Sequence, residues 1–266
     1  MTDGAPPRYE ALAAARQRIL SAAANRIPLV SVAGQARALG LWDGRRAAPG
    51  DEAQLALLLD LGVLDPVGGH TRGLDRQAKA APPEPDGDDA RVLAALREAR
   101  FGLWRILGPH PEGGARLAPL AAAPGDGEGE VQVMDRGLVQ APPGAFAAAR
   151  LMRPAGAAFA MTCGAVCALD ARVVERLLLD VAPGRGPVLP GPPAADDAAA
   201  MARLLAAPAA RLRLAALGQE PGFAARAYRH AIDLGLMGPV PGRTPGVSAA
   251  PEGAAGAPTP PGGRPR

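Results

Sequence analysis

Cys163 and Cys167 are the residues whose type and spacing most directly suggest chemistry, because they are the only thiols and lie four positions apart. Two thiolates at such a spacing can share a zinc ion, but a structural zinc site takes four Cys or His ligands, and the chain has no second cysteine pair. A redox-active pair usually has two intervening residues and opens a helix. The pattern therefore favours two small buried side chains that pack on a strand, and we predict no metal site here.

Histidine and serine, the usual bases and nucleophiles of hydrolytic sites, are scarce. His70 and His110 lie among Gly and Pro in predicted loops, and His230 lies beside Arg229 on a predicted helix. None of them has neighbouring residues that suggest a catalytic relay. The serines all lie outside a Gly-x-Ser-x-Gly elbow, which excludes the α/β-hydrolase pattern, and they are Ser21, Ser31 and Ser248. We accordingly predict no catalytic residue.

Motifs for nucleotides and cations are also missing. Lys79 is the only lysine, and it does not lie in a Gly-x-x-x-x-Gly-Lys-Ser/Thr phosphate loop. The segment Gly125-Asp-Gly-Glu-Gly129 has the glycines of a dinucleotide loop, but its acids would repel a pyrophosphate and no apolar strand immediately precedes it. Its acids lack the spacing of an EF-hand as well. No cofactor is predicted.

The isolated aspartates have structural explanations. Asp135 follows a predicted strand, and Asp170 precedes a predicted helix, where an aspartate side chain accepts hydrogen bonds from the first helical N–H groups. The remaining isolated acids are Asp180, Asp196 and Asp197. The sequence therefore contains no recognisable convergent set of catalytic groups.

The charge balance is only weakly basic. The chain has 29 Lys and Arg against 26 Asp and Glu, which gives a net charge of +3 and a pI near 9.4. Its arginines are scattered among acids and form no basic run of the kind found in nucleic-acid-binding arms. The composition argues against a nucleic-acid partner without excluding one, and it is compatible with a protein partner.

Targeting signals are not visible in the sequence. The first residues, Met1 to Pro7, lack the basic segment and apolar core of a signal peptide. The bulky apolar runs are too short and too interrupted to cross a bilayer. On these grounds we expect a cytoplasmic protein with no membrane partner.

A change in the hydrophobic pattern of the sequence between Phe101 and Asp170 predicts a β module. Short apolar runs separated by Gly and Pro replace the Ala- and Leu-rich helical pattern, and Glu130–Asp135 alternates between polar and apolar residues. Such alternation is typical of a small antiparallel unit, either a curled sheet or a partly open barrel. Half of the aromatic side chains lie in this stretch, and we expect them to form the main core: Phe101, Trp104, Phe146 and Phe159.

Helical segments on both sides of the β module predict an α+β protein. We divide the chain into a helical unit (8–66), a linker (67–88), a β-rich module with flanking helices (89–181), carboxy-terminal helices (194–236) and a disordered tail (237–266). Pro28 and Gly40 bracket one predicted helix, and Asp51 and Gly62 bracket the next.

The amino-terminal unit also has a feature of helix-turn-helix proteins, because Val30 to Gly40 predicts a short helix ended by glycine. A DNA reader would need polar and basic side chains on the following helix. That segment instead begins with Asp51 and Glu52 and continues with Leu55-Ala-Leu-Leu-Leu59, which is typical of a core helix.

Three function classes follow from these observations. The leading one is a noncatalytic interaction or ligand-binding protein, because no convergent catalytic set is present. A nucleic-acid-binding protein that uses the amino-terminal helical unit is the first alternative. An enzyme of unrecognised type is the second, and a polar pocket that gathers His70 or His110 with two acids would favour it.

Overall fold

A closed barrel of five strands forms the centre of the protein. The computed structural model describes residues 7–121, 129–179 and 197–236. Neighbouring strands follow the order β1-β2-β3-β5-β4, and β4 pairs with β1 to close the barrel. The strands are β1 Arg100–Pro109, β2 Ala115–Pro119, β3 Val131–Met134, β4 Phe146–Met152 and β5 Ala160–Leu169.

The barrel differs from the predicted antiparallel module in two respects. Its sheet is closed, and β3 pairs with β5 in parallel, so that Val133 lies opposite Ala160. The other four strand pairs are antiparallel. A helix lies between β3 and β4, so the module is a five-stranded mixed barrel with one inserted helix.

The interior of the barrel is filled by small and medium apolar side chains. Ile106, Leu117 and Val133 are almost fully buried there, together with Ala147 and Ala160. Strand alternation explains the set, because every second side chain of a strand points to the same face. The short helix α6 (Arg136–Gln140) adds Leu138 to this cluster.

Helices surround the barrel on both sides, which confirms the α+β class. In the part of the chain that is described, they are α1 Pro7–Ala24, α2 Leu29–Leu39, α3 Glu52–Leu64, α4 Gly73–Ala80, α5 Asp88–Arg97, α6, α7 Ala171–Leu178, α8 Asp197–Ala206, α9 Pro208–Gly218 and α10 Phe223–Asp233. No helix in the described ranges is long and apolar enough to span a membrane.

Capping residues set several helix boundaries as predicted. Gly40 ends α2 in the left-handed conformation with φ +70°, and the Asp51 side chain accepts a hydrogen bond from the Gln54 N–H at the start of α3. Gly62 does not end α3, because the helix continues to Leu64 and Gly62 packs closely against Ile27. Sequence reasoning assigned this glycine to a helix end, whereas it serves close packing.

The segment 67–88 is more structured than a linker. It contains α4, which packs against α1 and α3 and buries Leu74 completely. Pro208 separates α8 from α9 as the interrupted helical pattern predicted. The predicted tail over 237–266 and the connector that includes Asp180 and Asp196 lie outside the described residues.

The helices pack on the barrel through two apolar layers. The first layer combines α1, α4 and α5 with β5 and includes an edge-to-face contact between Tyr9 and Phe159. The second combines α2, α3 and α7 to α10 with the outer faces of β1, β4 and β5. Helix α3 contributes to both layers, because Leu57 and Leu61 belong to the second and Val63 and Leu64 to the first.

Candidate functional site

A cleft of about 930 Å³ lies between the barrel and the second layer of helices. One wall is formed where β1 and β3 begin and β2 ends, and it includes Phe101 and Trp104. The opposite wall comes from α2 and from the corner between α9 and α10, which includes Phe223. Most of the lining side chains are apolar, so the few charged ones define its chemistry.

A buried charge cluster, formed by Asp60, Asp65 and Arg150, lies on the inner side of the cleft. The Arg150 Nη2 atom is 2.9 Å from Asp65 Oδ1 and 3.9 Å from Asp60 Oδ2. The exposed fractions of the side chains are 1% for Asp60, 7% for Arg150 and 23% for Asp65. Asp65 and Arg150 line the cleft, whereas Asp60 lies behind them. One guanidinium is therefore shared by two carboxylates.

Aromatic side chains hold this cluster in place. The Tyr228 hydroxyl of α10 donates a hydrogen bond of 3.0 Å to Asp60 Oδ2. The Arg150 guanidinium carbon lies 5.7 Å from the centre of the Phe101 ring. Phe101 in turn makes edge-to-face contacts with Tyr228 and Phe223, at centroid distances of 5.2 and 5.8 Å. The cluster thus connects β1, β4, α3 and α10.

Burial dominates the electrostatics of the cluster. Removal from water raises the pKa of Asp60 to about 6, against smaller lowering effects from Arg150, from the Tyr228 hydroxyl and from the N–H of Ala165. Burial also disfavours the charged form of Arg150, but the two carboxylates outweigh it and raise its pKa. The pKa of Tyr228 is raised by burial and by the negative charge of Asp60. Arg150 therefore remains charged, and the Asp60 carboxyl keeps its proton to a higher pH than an ordinary aspartate.

The cysteines of β5 lie far apart in two different apolar layers. Their Cα atoms are separated by roughly 13 Å at the rise of a strand, which is too far for a disulfide. Both side chains are buried, and burial raises the pKa of each thiol, to about 12 for Cys167. In the described ranges, no group of three or more His, Cys, Asp or Glu side chains has a geometry that could hold a metal ion. The packing interpretation fits this geometry.

The three histidines lie outside the cleft lining. His70 is exposed in a turn that pairs with Val67. The Nδ1 atom of His110 accepts a hydrogen bond from the Glu112 N–H in the β1–β2 loop. His230 is buried in α10, where burial lowers its pKa. The structure brings neither His70 nor His110 together with a pair of acids at the cleft.

The aspartates that sequence analysis singled out serve local structure. Asp135 accepts hydrogen bonds from the first N–H groups of α6, and the Thr162 hydroxyl donates to its other oxygen. Asp170 caps α7 by accepting from the Val173 N–H. Asp197, in α8, accepts from the Ala171 N–H at 2.6 Å and so connects α8 to α7.

Sequence reasoning missed all three members of the buried charge cluster. A usable signal was present, because Asp60 interrupts the apolar run of α3 and Arg150 interrupts the apolar strand Phe146–Met152. A charged side chain in a fully buried stretch requires a partner. The pattern could have indicated an ion pair, but its partners are 85 and 90 positions apart and become neighbours only in the folded chain.

The helix that would read DNA is unsuited to that role. Seven of the thirteen residues of α3 are buried, among them Asp60 and Leu61. The helix packs against α1, α2, α4, α10 and β5. Its position therefore does not favour insertion into a DNA groove.

We expect the stability of the protein to reveal Asp60 through its dependence on pH. Since the pKa of Asp60 is raised in the folded state, its stabilising contribution is complete below about pH 4 and is lost as the pH rises through about 6. Relative to Asp60→Asn, the free energy of unfolding should fall by about 2 kcal/mol between pH 4 and pH 8. Urea unfolding of both proteins at several pH values measures this difference.

Comparison with Asp60→Asn removes the contributions of all other titrating groups from the measured pH dependence. His230, whose pKa is lowered, contributes the opposite slope, but it is present in both proteins and cancels. Parallel pH profiles for the two proteins would show that Asp60 does not titrate in this way.

Packing around the cluster predicts a strict requirement for glycine at position 164. A Cβ atom at Gly164 would lie 1.6 Å from Asp60 Oδ1, whereas a Cβ atom at Gly129 meets nothing within 4 Å. We expect Gly164→Ala to lower the free energy of unfolding by about 2 kcal/mol, because Asp60 must move away from its partners. Gly129→Ala is the matched control and should leave stability within about 0.5 kcal/mol of the original. Equal stability of the two variants would contradict the close approach.

Comparison of the chain with models of protein families, with curated proteins and with solved structures found no match in any of the three.

Proposed function

We propose that the protein is a noncatalytic binding protein that takes a small organic molecule into the cleft between the barrel and helices α2, α9 and α10. The observation that carries this proposal is the cleft itself. Its volume of about 930 Å³ lies within the range of small-molecule sites, and its lining combines apolar and aromatic walls with a few polar groups. Asp65, Arg150 and Gln35 are among the polar residues of this lining, and Arg150 and Gln35 are buried.

The chemistry of the lining supports binding more than catalysis. Arg150 is held by two carboxylates, and Gln35 donates to the Leu61 carbonyl. Asp60, the acid with a pKa near 6, is almost completely buried and is separated from the cleft by its own partners. An acid in this position stabilises the fold and does not reach a reacting atom.

Nucleic-acid binding remains the alternative function, and the outer surface of the barrel is a candidate surface for it. Five-stranded barrels of the OB type bind oligonucleotides on the face of strands 2 and 3, but a similar architecture alone does not carry a function. Here β2 and β3 have no aromatic side chain on which a base could stack. Arg116 on β2 is paired with Glu130 at 3.5 Å. These features favour the cleft over the strand face.

We expect a bulky side chain at the edge of the cleft to abolish ligand binding. Ala38 lies on α2, is exposed and lines the cleft, whereas Ala94 is an exposed alanine of α5 that does not. A library of small fragments, screened by ligand-observed NMR, should contain binders that Ala38→Phe weakens at least about tenfold. Ala94→Phe makes the same chemical change elsewhere and should leave their affinities unchanged.

The same screen also contains the outcomes that contradict the proposal. If no fragment binds, or if every binder is equally affected by both variants, the cleft is not the binding site. A steep salt dependence of affinity for single-stranded DNA or RNA would instead support the alternative.

A further inference from the structure

The charges of the buried charge cluster do not balance. The Arg150 guanidinium faces both Asp60 and Asp65, so the cluster carries one excess negative charge when both carboxylates are ionised. Asp60 lies too deep to meet a ligand, because only 1% of its side chain is exposed. Asp65 is 23% exposed and lines the cleft. Asp65 is therefore the carboxylate through which a ligand in the cleft can meet the negative charge of the cluster.

Asp65 also retains capacity to accept hydrogen bonds from a ligand. Its Oδ1 atom receives the Arg150 guanidinium at 2.9 Å, and a carboxylate offers about four acceptor positions. In the described part of the chain, the other carboxylate of the cleft, Glu220, is paired with Arg226 at 2.6 Å. Arg100, which lines the cleft as well, also makes an interaction. Asp65 differs from Glu220 because its arginine partner is shared with a second carboxylate, Asp60. Asp65 is therefore the better placed of the two to receive a positive charge.

We propose that the cleft selects molecules that carry an ammonium group on an apolar or aromatic body, with Asp65 receiving the ammonium group. The inference rests on the proposed binding function and names its ligand class. Phe101, Trp104 and Phe223 supply the apolar walls for the body of such a ligand. An ammonium group beside Asp65 gives each of the two carboxylates a positive partner.

The opposite preference has one structural argument in its favour. The amino terminus of α10 lies on the far wall, and its N-cap, Gly222, has no side chain to satisfy the first N–H groups. Such a helix end attracts anions. An anionic ligand is therefore the competing outcome, and the test must include one.

Three probes of similar size separate these possibilities: benzylamine (cationic at neutral pH), benzyl alcohol (neutral) and phenylacetate (anionic). We expect benzylamine to bind at least about tenfold more tightly than benzyl alcohol, as expected for a hydrogen bond between charged groups. Asp65→Asn should reduce this ratio to below about threefold. Glu112→Gln, at an exposed carboxylate of the β1–β2 loop outside the cleft lining, should leave it unchanged. Ligand-observed NMR titration measures the affinities, and thermal unfolding of each variant checks that it is folded.

The wild-type ratio tests the inference even if Asp65→Asn fails to fold. Stronger binding of phenylacetate, or equal binding of benzylamine and benzyl alcohol, would overturn the ammonium preference. If Ala38→Phe still blocks binding in that case, the cleft remains the binding site and only the ammonium preference is lost. Absence of binding by the three probes and by the fragment library would remove the binding function and this inference together.

Discussion

The sharing of the Arg150 guanidinium between Asp60 and Asp65 is the interaction on which the arrangement of barrel and helices depends. Arg150 belongs to β4, both aspartates belong to the carboxy-terminal part of α3 and its cap, and Tyr228 of α10 completes the set. Removing one partner from such a buried pair leaves an uncompensated charge, which costs about 3–5 kcal/mol. The pair therefore fixes how α3 and α10 lie on the barrel, whereas apolar packing alone is less directional.

The cleft is a consequence of this arrangement. Because α3 and α10 are tied to one end of the barrel, the α9–α10 corner and α2 face the beginnings of β1 and β3 and leave a cavity between them. Phe101 has a double role, since its ring contacts Arg150 and two aromatic side chains of α10 and also lines the cleft. The interactions that hold the fold together and the surface that we propose for binding thus share residues.

The sequence was most informative where structure is determined locally. Asp51 and Asp170 cap the beginnings of α3 and α7, and Gly40 ends α2. All three act through contacts within a few residues, so their roles could be predicted from the sequence. Gly62 was misassigned because its tight contact is with Ile27 of the preceding segment. The parallel pairing of β3 with β5 and the closure of the barrel depend on long-range register, which the alternation of single strands does not encode. The expected aromatic core is divided, because Phe159 and Phe146 belong to different layers and Trp104 packs against the barrel interior.

The candidate site was not predictable from motifs, because it contains none. No motif contains Asp60, Asp65 or Arg150. Their role depends on their burial and on the distances between them in the folded chain. The residue types that attracted attention in the sequence, Cys163 and His110 among them, fulfil packing and turn roles instead.

Direct titration of the Asp60 carboxyl group tests whether this aspartate is buried in the charge cluster of the folded protein. Carboxyl ¹³C NMR of the folded protein, with Asp60 assigned by comparison with Asp60→Asn, should show a midpoint near pH 6. A midpoint at or below about pH 4, the value of an ordinary aspartate, would contradict this burial, because Asp60 would then be in contact with water.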